Sequence, residues 1–536
     1  MAPSFRRLVR NHFWAILVAA AIGCISIAPY VYFAFSEPSY AGISLMGQDA
    51  EEHYLARIHE AYEGNVSIGN AYLPYKNAPY LIPPLGENIE AFAAKIFHLS
   101  VTEVNIAAKF VFPLFVFLLI YALAYSIAPS RMSALFGAAC AMLTEQLLSY
   151  PTSILKLFQG TIVSGGIYWA RPINPEVSIT LLFGALLLLW HIASRPREAA
   201  FPTFKILGLG LLAGALLYVS PYPWSFLSAL LLICCGYFLW KRKMRIAISI
   251  FCSGCIALAC AVPYAINYFH AHSAEGYGAV ADSYGVVSSH APIFGILLAA
   301  FLIIVFFGLP AELRRARWFF AASGLSLAAV LNQQIITGAY LQPGHFHWYI
   351  TKPLLGLLAG MAIYSFAPRF IPSRRLAVGC FAAGIILLLG YASIGQFNFY
   401  QINAPKFAGA QAYAPVLSYI RSSKTQEVVL TTPELSDYIP IYTDADAPAD
   451  LYASYYLSPA GYVETLKGVE DLLTSSSERV SDLNIMPKLQ QLGITMIVVD
   501  KDQSADLPTY IKNIFPKPDT IGSRFIIYKV PKVPAL

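Results

Sequence analysis

Long apolar stretches recur along the chain and are separated by short polar connections. A helix that crosses the hydrocarbon layer of a membrane needs about 17 to 25 mostly apolar residues, because the layer is about 30 Å thick and a helix rises about 1.5 Å per residue. About eleven segments satisfy this requirement. They lie near residues 13–35, 107–127, 133–148, 177–192, 206–219, 226–240, 246–266, 293–309, 318–336, 350–366 and 376–394. The pattern predicts a membrane protein built from α-helices.

Composition agrees with this pattern, since 57% of the 536 residues are apolar and only 12% are charged. Ordinary soluble domains carry about 25% charged residues, so that class is excluded. The net charge of +6 comes from the short basic connections and gives no reason to expect nucleic-acid binding.

Basic residues collect before the first predicted span and in every second connection after it. Short cytoplasmic loops are enriched in Lys and Arg. We therefore expect a cytoplasmic N-terminus and, after an odd number of spans, an extracytoplasmic tail, in a bacterial inner membrane. No small-residue cleavage site follows the first span, which should remain as an anchor. The basic positions are Arg6, Arg7, Arg10, Arg131, Arg195, Arg197, Lys205, Lys241, Arg242, Lys243, Arg245, Arg314, Arg315, Arg317, Arg369, Arg374 and Arg375.

The composition changes after residue 394, where strand-like and helix-like segments replace the apolar stretches. Strands are expected near residues 427–431, 494–499 and 524–530, and a helix near 414–421. We expect a transmembrane part of residues 1–396, with a large first extracytoplasmic loop at 37–106, and an extracytoplasmic α/β domain of residues 397–536. The tail's aspartates at 437, 444, 446 and 450 fit no calcium loop, and we favour turn positions over a metal site.

The first loop carries an unusual cluster of charge at residues 47–60. If a helix starts after Asp49, then Asp49, His53 and Arg57 lie on one face. Asp49 also suits a helix N-cap, and Glu52 would complete a capping box. Capping and catalysis are compatible, because one carboxylate oxygen can accept a backbone N–H while the other faces a substrate.

Closely spaced prolines follow between residues 74 and 84 and predict a stiff, extended loop before a helix resumes at residues 88–97. On its own this segment is only a rigid connector.

Two first-loop patterns together resemble the membrane-embedded GT-C glycosyltransferases. One is the helix that reads Asp49…His53-Tyr54…Arg57-Ile58…Gly64 just beyond the first span, and the other is Pro83-Pro84-Leu85-Gly86. The latter is similar to the His-Pro-Pro-Leu-Gly-Lys stretch of the protein O-mannosyltransferases. Ile82 and Glu87 replace the flanking His and Lys, which counts against that branch. Tail segments 414–420, 428–436, 439–443 and 492–501 resemble the C-terminal domain of many uncharacterised bacterial GT-C-like proteins.

The resemblance implies a membrane α-helical GT-C-like fold and sugar transfer from a polyprenyl-phosphate donor to a glycan, lipid or protein acceptor on the outer face. A carboxylate must then activate the acceptor hydroxyl, and cationic or hydrogen-bonding groups must stabilise the leaving phosphate. Asp49 is the expected base, with Glu51 and Glu52 in reserve; a single base suffices for inversion. The expected phosphate or substrate contacts are His53, Arg57, Lys76, Arg171, His345, His347 and Lys352.

Two of these contacts have competing interpretations. Arg171 can clamp a phosphate with two donors, or reach towards lipid headgroups. His345 and His347, in a strand-like conformation, would point both rings to one side, as metal ligands require. No third ligand is evident, so phosphate or acceptor contact is favoured. A divalent metal stays open, and no other cofactor is expected.

Two other classes of function remain. A transporter or flippase of lipid-linked glycans would also need many spans, but the sequence shows no pair of interrupted helices in corresponding halves and few ionisable residues deep in spans. A non-catalytic GT-C-like assembly protein could use the tail as its binding surface, and fold alone does not separate it from an enzyme.

Overall fold

The computed structural model describes residues 5–76, 78–158, 167–194, 201–274, 276–278, 280, 287–340, 342–459, 461–474, 485–503, 514–515 and 518–531. Arg195 and Arg197, which contributed to the predicted orientation, lie outside these residues.

The part of the chain up to the tail is helical. Its helices are α1 (Phe5–Ser36), α2 (Glu51–Glu63), α3 (Leu85–Phe97), α4 (Val101–Ile127), α5 (Arg131–Leu143), α6 (Glu145–Ser149), α7 (Ser153–Phe158), α8 (Glu176–Ala193), α9 (Thr203–Leu217), α10 (Pro221–Trp240), α11 (Met244–His272), α12 (Ile296–Phe306), α13 (Arg317–Leu331), α14 (Gln334–Thr337), α15 (Pro343–Phe346), α16 (Lys352–Phe366) and α17 (Arg374–Ala410). A short antiparallel pair, β1 (Val287–Ser288) and β2 (Ala339–Tyr340), precedes α15.

Among the described residues, eight helical segments are long and apolar enough to cross a membrane. Three shorter apolar helices, α5, α9 and α12, occupy the positions of three further predicted spans. The predicted span at 133–148 is interrupted because α5 ends at Leu143, with Thr144 as its C-cap, and the separate helix α6 follows. A polytopic membrane protein is therefore confirmed, whereas the count of eleven and the orientation stay predictions.

Small residues allow close helix contacts in the membrane part. A Cβ at Gly356 on α16 would lie 2.7 Å from the carbonyl oxygen of Cys140 on α5, and one at Gly360 would lie 2.9 Å from the Cα of Gly137. Membrane helices associate largely through such packing, because lipid tails are as apolar as the side chains. These glycines therefore explain how α5 and α16 lie against each other.

The tail combines short helices with a four-stranded sheet. Its helices are α18 (Ala414–Arg421), α19 (Pro433–Ser436), α20 (Ile439–Tyr442), α21 (Tyr462–Thr474) and α22 (Ile485–Gln491), and its strands are β3 (Val429–Leu430), β4 (Met496–Asp500), β5 (Asp519–Ile521) and β6 (Phe525–Lys529). The strand order is β3-β4-β6-β5; β3 is parallel to β4, and the other pairs are antiparallel. The predicted helix at 414–421 and the predicted strands near 427–431, 494–499 and 524–530 coincide with α18, β3, β4 and β6, whereas β5 and the helices α19 to α22 were not predicted. The domain boundary at residue 397 stays a prediction.

The two faces of this sheet are buried against different partners. Met496 and Val498 of β4 belong to one apolar core, and Ile497 and Val499 belong to another. Alternate residues of a strand point to opposite faces, so a strand covered on both faces reads as a continuous apolar run. The first core also contains Tyr54 and Ile58 of α2. The tail and the first loop therefore pack together on one side of the predicted membrane.

Candidate active site

Asp49 lies in the turn before α2 and does not cap the helix. The N-cap is Ala50, which has a φ of 55° and makes no side-chain cap hydrogen bond, so the predicted capping by Asp49 is wrong. The turn is held by Glu51, whose carboxylate accepts the backbone N–H of Gly47 at 2.9 Å and that of Gln48 at 3.0 Å. Asp49 is consequently free to face solvent, and its side chain is 85% exposed.

Arg171 fixes the position of this carboxylate. Its Nη2 lies 3.2 Å from Asp49 Oδ2, and its Nε donates to the Asp49 carbonyl at 2.8 Å. Its Nη1 donates to the carbonyl of Asn174 at 3.0 Å and to the hydroxyl of Tyr349 at 3.1 Å. The guanidinium is buried beneath an exposed acid and packs 5.4 Å from the ring centroid of Tyr54. Arg carries five N–H donors, and one N–H of Nη2 has no acceptor among the residues that the structure describes.

Aromatic side chains continue from Arg171 along one side of the site. The rings of Tyr168 and Tyr349 stack at 5.8 Å, and His345 stacks on Tyr222 at 4.5 Å and lies 5.4 Å from Tyr349. His345 Nδ1 is buried and has no hydrogen-bond partner among the described residues. Asp49, Arg171 and His345 are thus the predicted site residues that the fold brings together.

Lys109 connects the turn that carries Asp49 with the segment that carries Arg171. Its Nζ lies 3.0 Å from Glu51 Oε1 and donates to the Ala170 carbonyl at 2.7 Å. Glu51 holds the turn that carries Asp49, and Ala170 precedes Arg171. Both Lys109 and Glu51 have fully buried side chains. Both carboxylate oxygens of Glu51, which was predicted as a reserve base, are therefore bonded to protein partners.

Further carboxylates surround this lysine. Glu90 and Glu176 are buried, and all four of their carboxylate oxygens have no hydrogen-bond partner among the described residues. Burial raises the pKa of Glu90 well above its ordinary value; Lys109 opposes the shift, and Glu87 and Glu51 add to it. Lys109 alone does not neutralise Glu51, Glu90 and Glu176, and the raised pKa of Glu90 favours its protonated form.

Glu52 faces the tail. It lies 3.3 Å from Lys406 Nζ, and its side chain is 15% exposed. Beside it, burial and then the charge of Glu52 raise the pKa of Asp437 to about 6. Burial, followed by the charge of Asp437, raises the pKa of Asp450 to about 8. Glu52, Asp437 and Asp450 thus form a largely buried acidic cluster next to the turn of Asp49.

Three of the predicted phosphate contacts form hydrogen bonds or ion pairs with other protein groups. His53 is buried, with Nδ1 3.0 Å from the Tyr72 hydroxyl. Arg57 is fully buried and bonds Glu87, the Tyr456 hydroxyl and the Ile82 carbonyl. Lys76 pairs with Glu60 and Asp446 at 2.8 and 2.7 Å. Their roles in substrate binding stay predictions that this geometry does not support.

The remaining candidates, His347 and Lys352, lie in or next to a π-helical turn, His347–Thr351, between α15 and α16. Lys352 pairs with Glu145 at 2.6 Å and also bonds Ser149. His345 lies in α15 and His347 in the π turn, so the expected strand-like conformation is wrong. His345 stacks on Tyr222, whereas His347 packs against Gly295, and the two rings do not converge on a metal.

The motif Pro83-Pro84-Leu85-Gly86 has a structural explanation at its glycine. A Cβ at Gly86 would lie 2.5 Å from Cγ2 of Ile173, a residue in the connection that carries Arg171. Ile173 itself has a φ of 61°. Only glycine lets α3 approach this connection so closely.

Sequence reasoning missed Lys109 and Tyr349 as parts of the site, and it named Gly86 only as part of a motif. Lys109 was detectable, because a lysine inside an apolar stretch needs a buried partner.

Known structures with the same architecture include the following two. ArnT from Cupriavidus metallidurans bound to undecaprenyl phosphate has a TM-score of 0.52 at 13% identity, with 98% of each chain covered. The Archaeoglobus fulgidus oligosaccharyltransferase in its apo form has a TM-score of 0.52 at 11% identity, with 91% of this chain and 69% of that chain covered. The chain has the GT-C fold. No protein-family model and no curated protein matches the sequence. The GT-C architecture thus agrees with the predicted resemblance, while identities this low speak for fold alone.

Proposed function

We propose that the chain is a glycosyltransferase that moves a sugar from a polyprenyl-phosphate donor to an acceptor hydroxyl at the extracytoplasmic face of the membrane. The observation that carries the proposal is the Asp49–Arg171 pair, in which a solvent-facing carboxylate lies 3.2 Å from a buried guanidinium. The proposed donor class is supported by the shared fold, since the ArnT structure is bound to undecaprenyl phosphate.

In the proposed reaction Asp49 accepts the proton of the acceptor hydroxyl. The acceptor oxygen attacks the anomeric carbon of the sugar, and the bond from that carbon to the phosphate oxygen breaks. The lipid phosphate leaves with the bonding electrons, and the configuration at the carbon is inverted. Only one base is needed, so Glu51 can remain buried in its structural role.

Arg171 has two functions in this proposal. Its protein hydrogen bonds hold the guanidinium in place, so that little reorganisation is needed when charge develops on the leaving phosphate. Its remaining Nη2 donor is the candidate phosphate contact. His345, with an unpartnered Nδ1 nearby, is the candidate contact for the acceptor or the sugar.

Cells that lack the chain should accumulate one lipid-linked sugar, which identifies the donor. Wild-type chain should restore its consumption, and Asp49→Asn should not. The matched control is Asp502→Asn, because Asp502 is also an exposed aspartate (66%) that lies 3.2 Å from an arginine, Arg524. Restoration by Asp49→Asn, or no accumulating lipid in the absence of the chain, contradicts the proposal.

A further inference from the structure

Three potential ligand atoms converge where the end of α2 meets the tail. His59 and Glu63 lie one turn apart on α2, and Asp444 follows α20 in the tail. His59 Nε2 is 3.8 Å from Glu63 Oε1 and 3.6 Å from Asp444 Oδ1. All three ligand atoms lie within 4.8 Å of one another.

The orientation of the imidazole is set by the backbone. His59 Nδ1 lies 2.8 Å from the carbonyl oxygen of Pro440, which only accepts hydrogen bonds. Nδ1 therefore carries the proton, and in the neutral ring the Nε2 lone pair points towards the two carboxylates. This arrangement is the one found for metal-binding histidines, whose second nitrogen donates to a carbonyl or carboxylate. Lone pairs that face one another need either a metal ion or a proton on Nε2 between them.

No basic side chain supplies that cation. Glu63 and Asp444 form no ion pair with Lys or Arg among the described residues. Two neighbouring cations are engaged elsewhere: Lys76 pairs with Glu60 and Asp446, and Arg421 donates to the Tyr442 carbonyl. Lys424 also lines the adjoining cavity and forms no ion pair with Glu63 or Asp444 within the described part of the chain. A cavity of about 270 Å³ adjoins the three residues and has room for a water ligand.

We propose that His59, Glu63 and Asp444 bind a zinc ion that fastens α2 to the tail. Zinc bonds of about 2.0–2.1 Å place tetrahedral ligand atoms roughly 3.4 Å apart. The observed separations approach this value, and the exposed Glu63 and Asp444 side chains can adjust. The eight residues from Glu51 to His59 span about 12 Å of helix. The ion therefore lies away from Asp49, and the proposal does not depend on transferase activity.

The test is zinc titration of the purified full chain in detergent after treatment with a chelator. We expect one zinc ion per chain, a rise in Tm on binding, and at least tenfold weaker affinity in His59→Ala and Asp444→Asn. Asp444 is 71% exposed, so its substitution should not impair folding. His270→Ala and Asp502→Asn, at exposed positions elsewhere, should bind zinc as the wild type does.

Three outcomes overturn the proposal. One is that no zinc binds at micromolar concentration. In that case a proton on His59 Nε2 joins His59 to Glu63 and Asp444. Another is unchanged affinity in both site variants. The third is equally tight binding of Mg²⁺, since a site with an imidazole ligand should prefer zinc.

Discussion

Substitution of Lys109 should disturb the candidate active site indirectly, through the two segments that carry Asp49 and Arg171. Lys109→Met removes the cation 3.0 Å from Glu51 and leaves that carboxylate buried near Glu90 and Glu176. Breaking a buried ion pair costs about 3–5 kcal/mol. The turn that carries Asp49 and the connection that carries Arg171 both lose a support. A displacement of about 1 Å at such a site can lower the rate about 100-fold.

A double-variant cycle separates the energy of the Lys109–Glu51 ion pair from a general effect of Lys109→Met on packing. Glu51→Gln keeps an acceptor for Gly47 and Gln48 but removes the negative charge. The double variant Lys109→Met with Glu51→Gln should therefore be more stable than the sum of the single effects predicts, by about 0.5–3 kcal/mol. The control is Lys95→Met on α3, where an exposed lysine should change stability by about 0.5 kcal/mol or less.

The assay is denaturant unfolding in detergent micelles, followed by tryptophan fluorescence, together with transfer rates in membranes. A loss below about 1 kcal/mol in Lys109→Met, or strict additivity in the cycle, would refute the assignment of this lysine as a buried charge partner.

Three further predictions concern the surroundings of the site. Arg171→Lys keeps the charge but removes the forked donors to Asn174 and Tyr349, so transfer should fall at least about tenfold, with a lower Tm; unchanged transfer would rule out the clamp. Gly86→Ala should lower the free energy of unfolding by about 1–3 kcal/mol, because the added Cβ meets Ile173. Gly236→Ala, which has open space around the new Cβ, should show no such loss. Equal effects of the two substitutions would contradict the close approach of α3 to Ile173. The pKa of Asp450 is raised to about 8, so its contribution to stability is present below the ordinary pKa of about 4 and is lost as pH rises through about 8. Asp450→Asn should therefore flatten the fall in Tm across that pH range. An unchanged Tm profile would show that Asp450 ionises normally.

Local patterns explain how much of the fold was predictable. The apolar stretches located the membrane helices, and the apolar runs at β4 and β6 located the tail strands, since both features depend on neighbouring residues. The helix α18 has the predicted bounds, 414–421. Breaks such as Thr144 depend on tertiary packing and were not evident.

The site was less predictable because its contacts join distant parts of the chain. Asp49 and Arg171 are separated by 122 positions, and no local pattern indicates that they meet. Asp49 was predicted to cap α2 because its residue type suits that position, but Glu51 satisfies the backbone of the turn instead. The pair His345 and His347 was interpreted as strand-like, and the π turn sends the rings apart. Spacing alone gives no information on such turns.

The most direct test of the central claim is a single-turnover measurement with a radiolabelled polyprenyl-phosphate sugar in membranes that contain wild type or Asp49→Asn. Removal of a general base costs about 10²–10⁴-fold. We expect a rate loss of that size in Asp49→Asn, with donor binding unchanged, because Arg171 keeps its protein hydrogen bonds. Wild-type turnover by Asp49→Asn would contradict the account.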